Sequence, residues 1–249
     1  MSVPLRQVVQ VGAYVVKQHV LGRKRYPLVL MLEPLFRCNL ACSGCGKIDY
    51  PAEILNQRLS VADALAAVDE CGAPVVAIAG GEPLLHKEMP AIVEGILARK
   101  KFVYLCTNAL LLEKKMDQYK PNPYFSWDVH LDGDKGMHDR AVSQAGVFEK
   151  AVAAIKMAKA RGFRLSINCT LFDGAEPARV AAFFDEVMAG AASPFAIIPD
   201  DFQKWLHRGV PPHISPSSLP HGTSNRKAAF RELTVGGPLS CTSFIARWG

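Results

Sequence analysis

The chain has 249 residues, 49% hydrophobic and 21% charged, with a formal net charge of +6. That balance suits a globular core and excludes a disordered chain. No apolar run reaches the ~18 residues of a membrane span, and no Lys/Arg block is long enough to argue for nucleic acid. The seven cysteines are odd in number and three crowd into residues 38–45. A metal or redox role in a cytoplasmic chain is therefore expected instead of a disulfide scaffold. No apolar stretch of the secretory type follows Met1, so no signal peptide is read.

Residues 5–21 come first. On a helical wheel Arg6, Gln7, Gln10, Lys17 and Gln18 fall within about 120°. The broad remaining face is rich in valine, at Val8, Val9, Val11, Val15, Val16 and Val20. One reading is a helix packed on the body of the protein, since burial is what most amphipathic faces do. The other is an interfacial helix whose basic edge, continued by Arg23-Lys24-Arg25, rests on anionic lipid. The valines also leave a strand open. Residues 1–26 are set apart as this helix and a basic linker.

From residue 28, short β-rich runs alternate with helical periods. The runs are 28–32, 74–79, 102–106, 125–131 and 164–171. The helical stretches are 60–71, 86–100, 112–119, 147–161 and 176–188. Ser60 with Asp63 makes a weak capping box, and Gly72 and Gly162 stand where helices should stop. Five β-α units imply an α/β fold with a parallel sheet, an open or partial TIM-like barrel over residues 27–189. Chemistry in such folds collects at the C-terminal ends of the strands. Those ends carry Cys38, Gly80-Gly81-Glu82-Pro83, Cys106-Thr107-Asn108, His130-Leu131-Asp132-Gly133 and Asn168-Cys169-Thr170. Beyond residue 189 the alternation stops. Residues 190–249 hold seven of the 17 prolines, and no strand–helix unit is visible there. An irregular, poorly ordered tail or a frame change near residue 189 is expected.

Cys38, Cys42 and Cys45 are separated by three and two residues. Thiolates at this density bind zinc or an iron–sulfur cluster. Structural zinc wants a fourth ligand, yet Cys71 and His86 fall on or beside later helices. A c-type haem needs histidine where Gly46 stands. A dithiol of Cys42 and Cys45 leaves Cys38 unexplained. Three cysteines on a four-iron cluster leave one iron open to a ligand.

Together, this CxxxCxxC pattern and the Gly-Gly-Glu-Pro at 80–83 resemble the radical S-adenosylmethionine (SAM) superfamily. The resemblance implies a [4Fe–4S] cluster on the three cysteines, with SAM bound to the open iron and cleaved to a 5′-deoxyadenosyl radical. It places Gly80 and Gly81 in close backbone approach to the ligand, Glu82 as acceptor for the methionine ammonium, and Pro83 as a stiffener of the turn. Asn108, Asp132 and Asn168 stand where the family puts polar contacts to ribose and methionine. Many members have an aromatic residue before the third cysteine. This chain has Gly44 there, and Tyr50 is the substitute for adenine packing.

The longer phrase from Pro34 to Cys42 and from Gly46 to Pro51, with residues 129–133, looks like the hopanoid-biosynthesis members of that superfamily, the adenosyl-hopene transferases. The likeness covers residues 1–189. It implies radical addition to the alkene of diploptene to give adenosylhopane. It also implies a hopene-type polycyclic isoprenoid substrate and an electron donor such as a flavodoxin or ferredoxin. Such a substrate partitions into the membrane, which favours the valine-rich helix resting on the bilayer in peripheral contact of a cytoplasmic enzyme. A saturated adduct needs a hydrogen-atom donor. Cys106 shares a strand face with Phe102 and Tyr104 and lies at the mouth, so it is the expected catalytic thiol, with Cys169 the other candidate. The competing reading of Cys106 is a small buried hydrophobe. Two further readings stay open: radical SAM chemistry on another substrate, such as a peptide or nucleotide, and a truncated, inactive chain that at most binds a cluster.

Overall fold

The computed structural model describes residues 3–43, 45–170, 178, 180, 182–183, 229–234 and 242–247. The alternation read from the sequence is present. Strands β1 (Pro27–Leu32), β2 (Val75–Ile78), β3 (Phe102–Thr107), β4 (Phe125–His130) and β5 (Arg164–Asn168) follow one another. Each pairs in parallel with the next. Helix α1 (Leu5–Val20) precedes them. The other helices are α2 (Ala52–Leu55), α3 (Val61–Cys71), α4 (Met89–Ala98), α5 (Leu112–Lys115), α6 (Lys135–Ala141) and α7 (Val147–Ala160). The sequence reading did not include α2 and α6. Both are short, and neither offers enough turns for a period to show. Of the stretch 176–188, residues 178, 180 and 182–183 are described, as helix, and the remainder lies outside the described residues.

Two further strands come from the C-terminal part, β6 (Ala229–Thr234) and β7 (Thr242–Arg247). β7 lies parallel to β1 and β6 antiparallel to β7. The sheet therefore runs β5-β4-β3-β2-β1-β7-β6. The sequence analysis found no strand here, because two six-residue runs among prolines and glycines give no longer pattern. The rest of the expected irregular tail falls outside the described residues.

The sheet has two unlike faces. One carries Leu30, Leu32, Val76, Ile78, Val103, Leu105, Phe125, Trp127, Val129 and Leu165 into a single apolar core. Against them pack Ala64 and Val68 of α3, Ile92, Val93 and Ile96 of α4, and Ala151, Ala154, Ile155 and Ala158 of α7. Leu105, Trp127 and Leu165 lie side by side in register, and one residue further along come Cys106, Asp128 and Ser166. Because side chains alternate along a strand, that second row points to the opposite, inner face. The expected split of β3, with Val103 and Leu105 on one side and Tyr104 and Cys106 on the other, is the one observed.

Local signals explain the helix ends. The Ser60 hydroxyl accepts from the Asp63 amide at 3.1 Å and donates to the Asp63 carboxylate at 2.6 Å. Half of the capping box thus forms. The acid accepts the hydroxyl's hydrogen bond and does not reach back to the Ser60 amide. Gly72 closes α3 at φ 69°, a left-handed turn that suits glycine.

α1 is a helix, and it docks with its polar face. Gln7 and Gln18 are buried, whereas Leu5, Val9, Val16 and Val20 are between 61% and 80% exposed. The helix does pack on the body, as one reading had it, but the valine face is not the one turned inward, for a physical reason. α1 meets the N-terminal ends of the strands, where backbone carbonyls lack ladder partners. Gln10 donates to the Lys100 carbonyl at 2.7 Å and Tyr14 to that of Pro27 at 2.9 Å. On the inner face, Tyr104 donates to Gln7 at 3.0 Å.

Candidate active site

β1 hands the chain to the cysteine loop, and the loop after β2 holds it there. The Gly81 amide donates to the Leu35 carbonyl at 3.0 Å and the Glu82 amide to that of Arg37 at 2.9 Å. A Cβ on Gly80, whose φ is +114°, would stand 2.3 Å from the Leu35 carbonyl oxygen. One on Gly81 would stand 2.2 Å from that of Arg37. The two glycines are thus required by the chain's own approach to Cys38. The sequence reading had assigned that closeness to a ligand.

Glu82 is fully buried. Its carboxylate accepts from the Leu84 amide (3.0 Å), the Thr107 hydroxyl (2.9 Å) and the Asn108 amide (2.9 Å). Burial pushes its pKa up to about 6, and these three donors oppose the rise. The side chain therefore ties the end of β2 to the end of β3. Pro83 opens the 3-10 turn Pro83–Leu85 that follows.

Asn108 completes the connection. Its side-chain amide donates to Asn39 at 2.8 Å and lies 3.8 Å from the Cys38 sulfur. Cys38 and Cys42 pack with Leu40, Leu110, Val142 and Val147 in a small apolar cluster. The loop is further pinned to the end of α6, where the Ser43 amide donates to the Ala141 carbonyl at 2.8 Å. Cys45 is exposed. Burial pushes the Cys38 thiol up, and burial followed by the neighbouring Cys38 and Cys45 pushes Cys42 up to about 11.

Such thiols resist ionising alone and surrender their protons to a bound cation. Among the described residues no group of three His, Cys, Asp or Glu side chains closes around one metal ion. A four-iron cluster does not require that, because each thiolate bonds a different iron. The donor set, its apolar wall and the Asn108 amide beside sulfur fit a cluster of that kind.

Asp132 and Asn168 part company. Asp132 is buried, 2.7 Å from His130 Nε2, and accepts from the Thr170 amide at 2.7 Å. Burial would raise its pKa, but the His130 and Thr170 hydrogen bonds, with charge from His130 and His138, hold it below the ordinary carboxylate value. The Asp132 amide donates to Nδ1 of the buried His138 at 3.1 Å. Asn168 ends β5 exposed, its carbonyl accepting from Leu131 at 2.9 Å. Tyr50 stacks on Phe36 with centroids 5.5 Å apart.

Cys106 stands on the inner face. Its thiol donates to Asp128 Oδ2 at 3.4 Å, and Ser166 donates to Asp128 Oδ1 at 2.7 Å. Burial first, then the Asp128 charge and hydrogen bond, push the thiol pKa far up. The sulfur is kept as S–H. Asp128 and Ser166 were missed by the sequence reading, though their inward parity in β4 and β5 was available. Cys169 is half-buried, its thiol 3.8 Å from the Thr170 carbonyl. Burial and the Asp132 charge push it up to about 11.

Comparison with known proteins agrees with this geometry. The family model described as Radical SAM superfamily matches residues 32–187. The pre-heme d1 synthase of Dinoroseobacter shibae is 27% identical over 54% of this chain and 34% of its own length. A GTP 3′,8-cyclase 1 of Mycobacterium tuberculosis is 31% identical over 59% of this chain and 44% of its own. The chain thus spans less than half the length of these relatives. Among solved structures, Streptococcus suis SuiB bound to precursor peptide SuiA superposes with a TM-score of 0.56. It covers 76% of this chain and 43% of SuiB at 17% identity, a likeness of fold.

Proposed function

The chain belongs to the Radical SAM superfamily, and we propose that within it this protein adds a 5′-deoxyadenosyl radical to the alkene of a hopene-type polycyclic isoprenoid. Members of the superfamily use a [4Fe–4S] cluster and SAM. Cys38, Cys42 and Cys45 would hold the cluster, which with SAM supplies a carbon radical by one-electron reductive cleavage.

The chain's own residues account for the rest. Glu82, Thr107 and Asn108 keep the ends of β2 and β3 together beside Cys38. The Gly80–Pro83 turn, Asn108, Asp132 and Asn168 are assigned to SAM on this reading, Glu82 through the strand ends it ties together and not as a free acceptor. Leu40, Val142 and Val147 give Cys38 and Cys42 an apolar wall on one side.

The single observation that carries the finer reading is Cys106. Adding a carbon radical to an alkene forms one C–C bond and leaves an unpaired electron on the product. Hydrogen-atom transfer from the Cys106 thiol to that carbon forms the C–H bond and leaves a thiyl radical. One electron and one proton restore the thiol, the electron coming from a low-potential donor such as a flavodoxin or ferredoxin. This needs a thiol that stays protonated, and the Asp128 carboxylate beside Cys106 favours that form. A hydrocarbon substrate is held mainly by burial of apolar surface, at ~25 cal/mol per Å².

The test is anaerobic chain, reconstituted with iron and sulfide, given SAM, a reductant and diploptene. Adenosylated hydrocarbon is expected. Cys106→Ala should keep SAM cleavage and lose the saturated adduct. Normal adduct yield from that variant removes Cys106 from the chemistry. A second reading, hydrogen abstraction from a nucleotide or peptide, is favoured by the named relatives. Free 5′-deoxyadenosine as the sole nucleoside product selects it.

A further inference from the structure

Of the eight large apolar side chains most exposed among the described residues, seven lie in residues 3–21: Val3, Leu5, Val8, Val9, Val16, Val20 and Leu21. Five of them share one side of α1 with Gly12, around which a Cβ would meet nothing within 4 Å. Burial of an apolar face is the usual reason an amphipathic helix docks on its domain. Here the docking hydrogen bonds are made by Gln7, Gln10 and Tyr14, Gln18 is buried beside them, and the aliphatic side is left outward. We propose that α1 is a surface anchor that lays this side into an anionic lipid bilayer.

Charge identifies the occupant. Residues 3–32 include Arg6, Lys17, Arg23, Lys24 and Arg25 and no Asp or Glu, the first acid being Glu33. Arg6 and Lys17 border the apolar arc on the wheel, and Arg23, Lys24 and Arg25 follow its C-terminal end, all five exposed. An aliphatic arc edged by cations on a short helix is the pattern of an interfacial segment. The arc has no aromatic anchor and no hydrogen-bonding side chain of the kind that dominates protein interfaces. At 1.5 Å per residue α1 is about 24 Å long. No described helix is long and apolar enough to cross a membrane, so the anchor lies on the surface. The inference is independent of the hopene reading and uses readouts that need no turnover.

The experiment is co-sedimentation of the full chain with vesicles of phosphatidylcholine alone, or of phosphatidylcholine and phosphatidylglycerol in equal parts. Sedimentation velocity without lipid accompanies it. The expected result is binding to the anionic vesicles about tenfold stronger than to the neutral ones, weakened by salt. Val9→Asp with Val16→Asp should abolish it, and Lys24→Glu with Arg25→Glu should remove its salt-sensitive part. Both variants should unfold at the parent temperature, since these side chains face solvent. Anionic vesicles that fail to pellet the chain, or that pellet the double aspartate variant equally, overturn the proposal. So does a lipid-free dimer that this variant dissolves while vesicle binding is absent. That last result would assign the face to a second copy.

Discussion

Across three neighbouring strands the two faces of the sheet do opposite work one residue apart. Leu105, Trp127 and Leu165 stand in one row, buried in the core that α4 and α7 cover. Cys106, Asp128 and Ser166 stand in the next row and bind one another through polar atoms. A register slip of one residue would exchange the rows and bury a carboxylate in hydrocarbon. The apolar row therefore holds the alignment that the polar row depends on. One pleat separates the apolar row from the polar one.

The largest effect is expected from breaking the apolar row. Trp127 is fully buried among Tyr119, Phe125 and Phe163. Trp127→Ala should cost about 3–5 kcal/mol of unfolding free energy, read by urea titration. Next comes the buried acid between strand ends. The Glu82 carboxyl is raised by burial to about 6 from an ordinary 4.5. Its contribution to stability is full below about pH 4.5 and is lost as pH rises through 6, a change of about 2 kcal/mol. Glu82→Gln should flatten that slope in denaturant midpoints measured across this window. The smallest effect should come from the polar row. Ser166→Ala removes one hydrogen bond to Asp128 and should cost about 1 kcal/mol, while the adduct yield of the proposed reaction falls. A cost as large as that of Trp127→Ala would erase the distinction between the rows.

The parts legible in the sequence were those set by local spacing. The three cysteines, the strand ends and the parity that separates Cys106 from Leu105 all come from counting along one segment. What was not legible depends on alignment between segments. Asp128 becomes a partner of Cys106 only through the β3–β4 register. Glu82 reads as a ligand acceptor until the amides of Leu84 and Asn108 are seen to occupy it. The wheel of α1 shows two faces, and only the open carbonyls at Lys100 and Pro27 decide which turns inward. Gly80 and Gly81 read as space for a ligand, whereas the space is taken by the Leu35–Arg37 backbone.

That last contact seats the Cys38 end of the thiol loop more deeply than the Cys45 end. Cys38 is seated by neighbouring chain through Leu35, Arg37 and Asn108, while Cys45 faces solvent. An iron cluster held by the three thiols would therefore meet one sulfur already seated beside Asn108 and another that faces solvent.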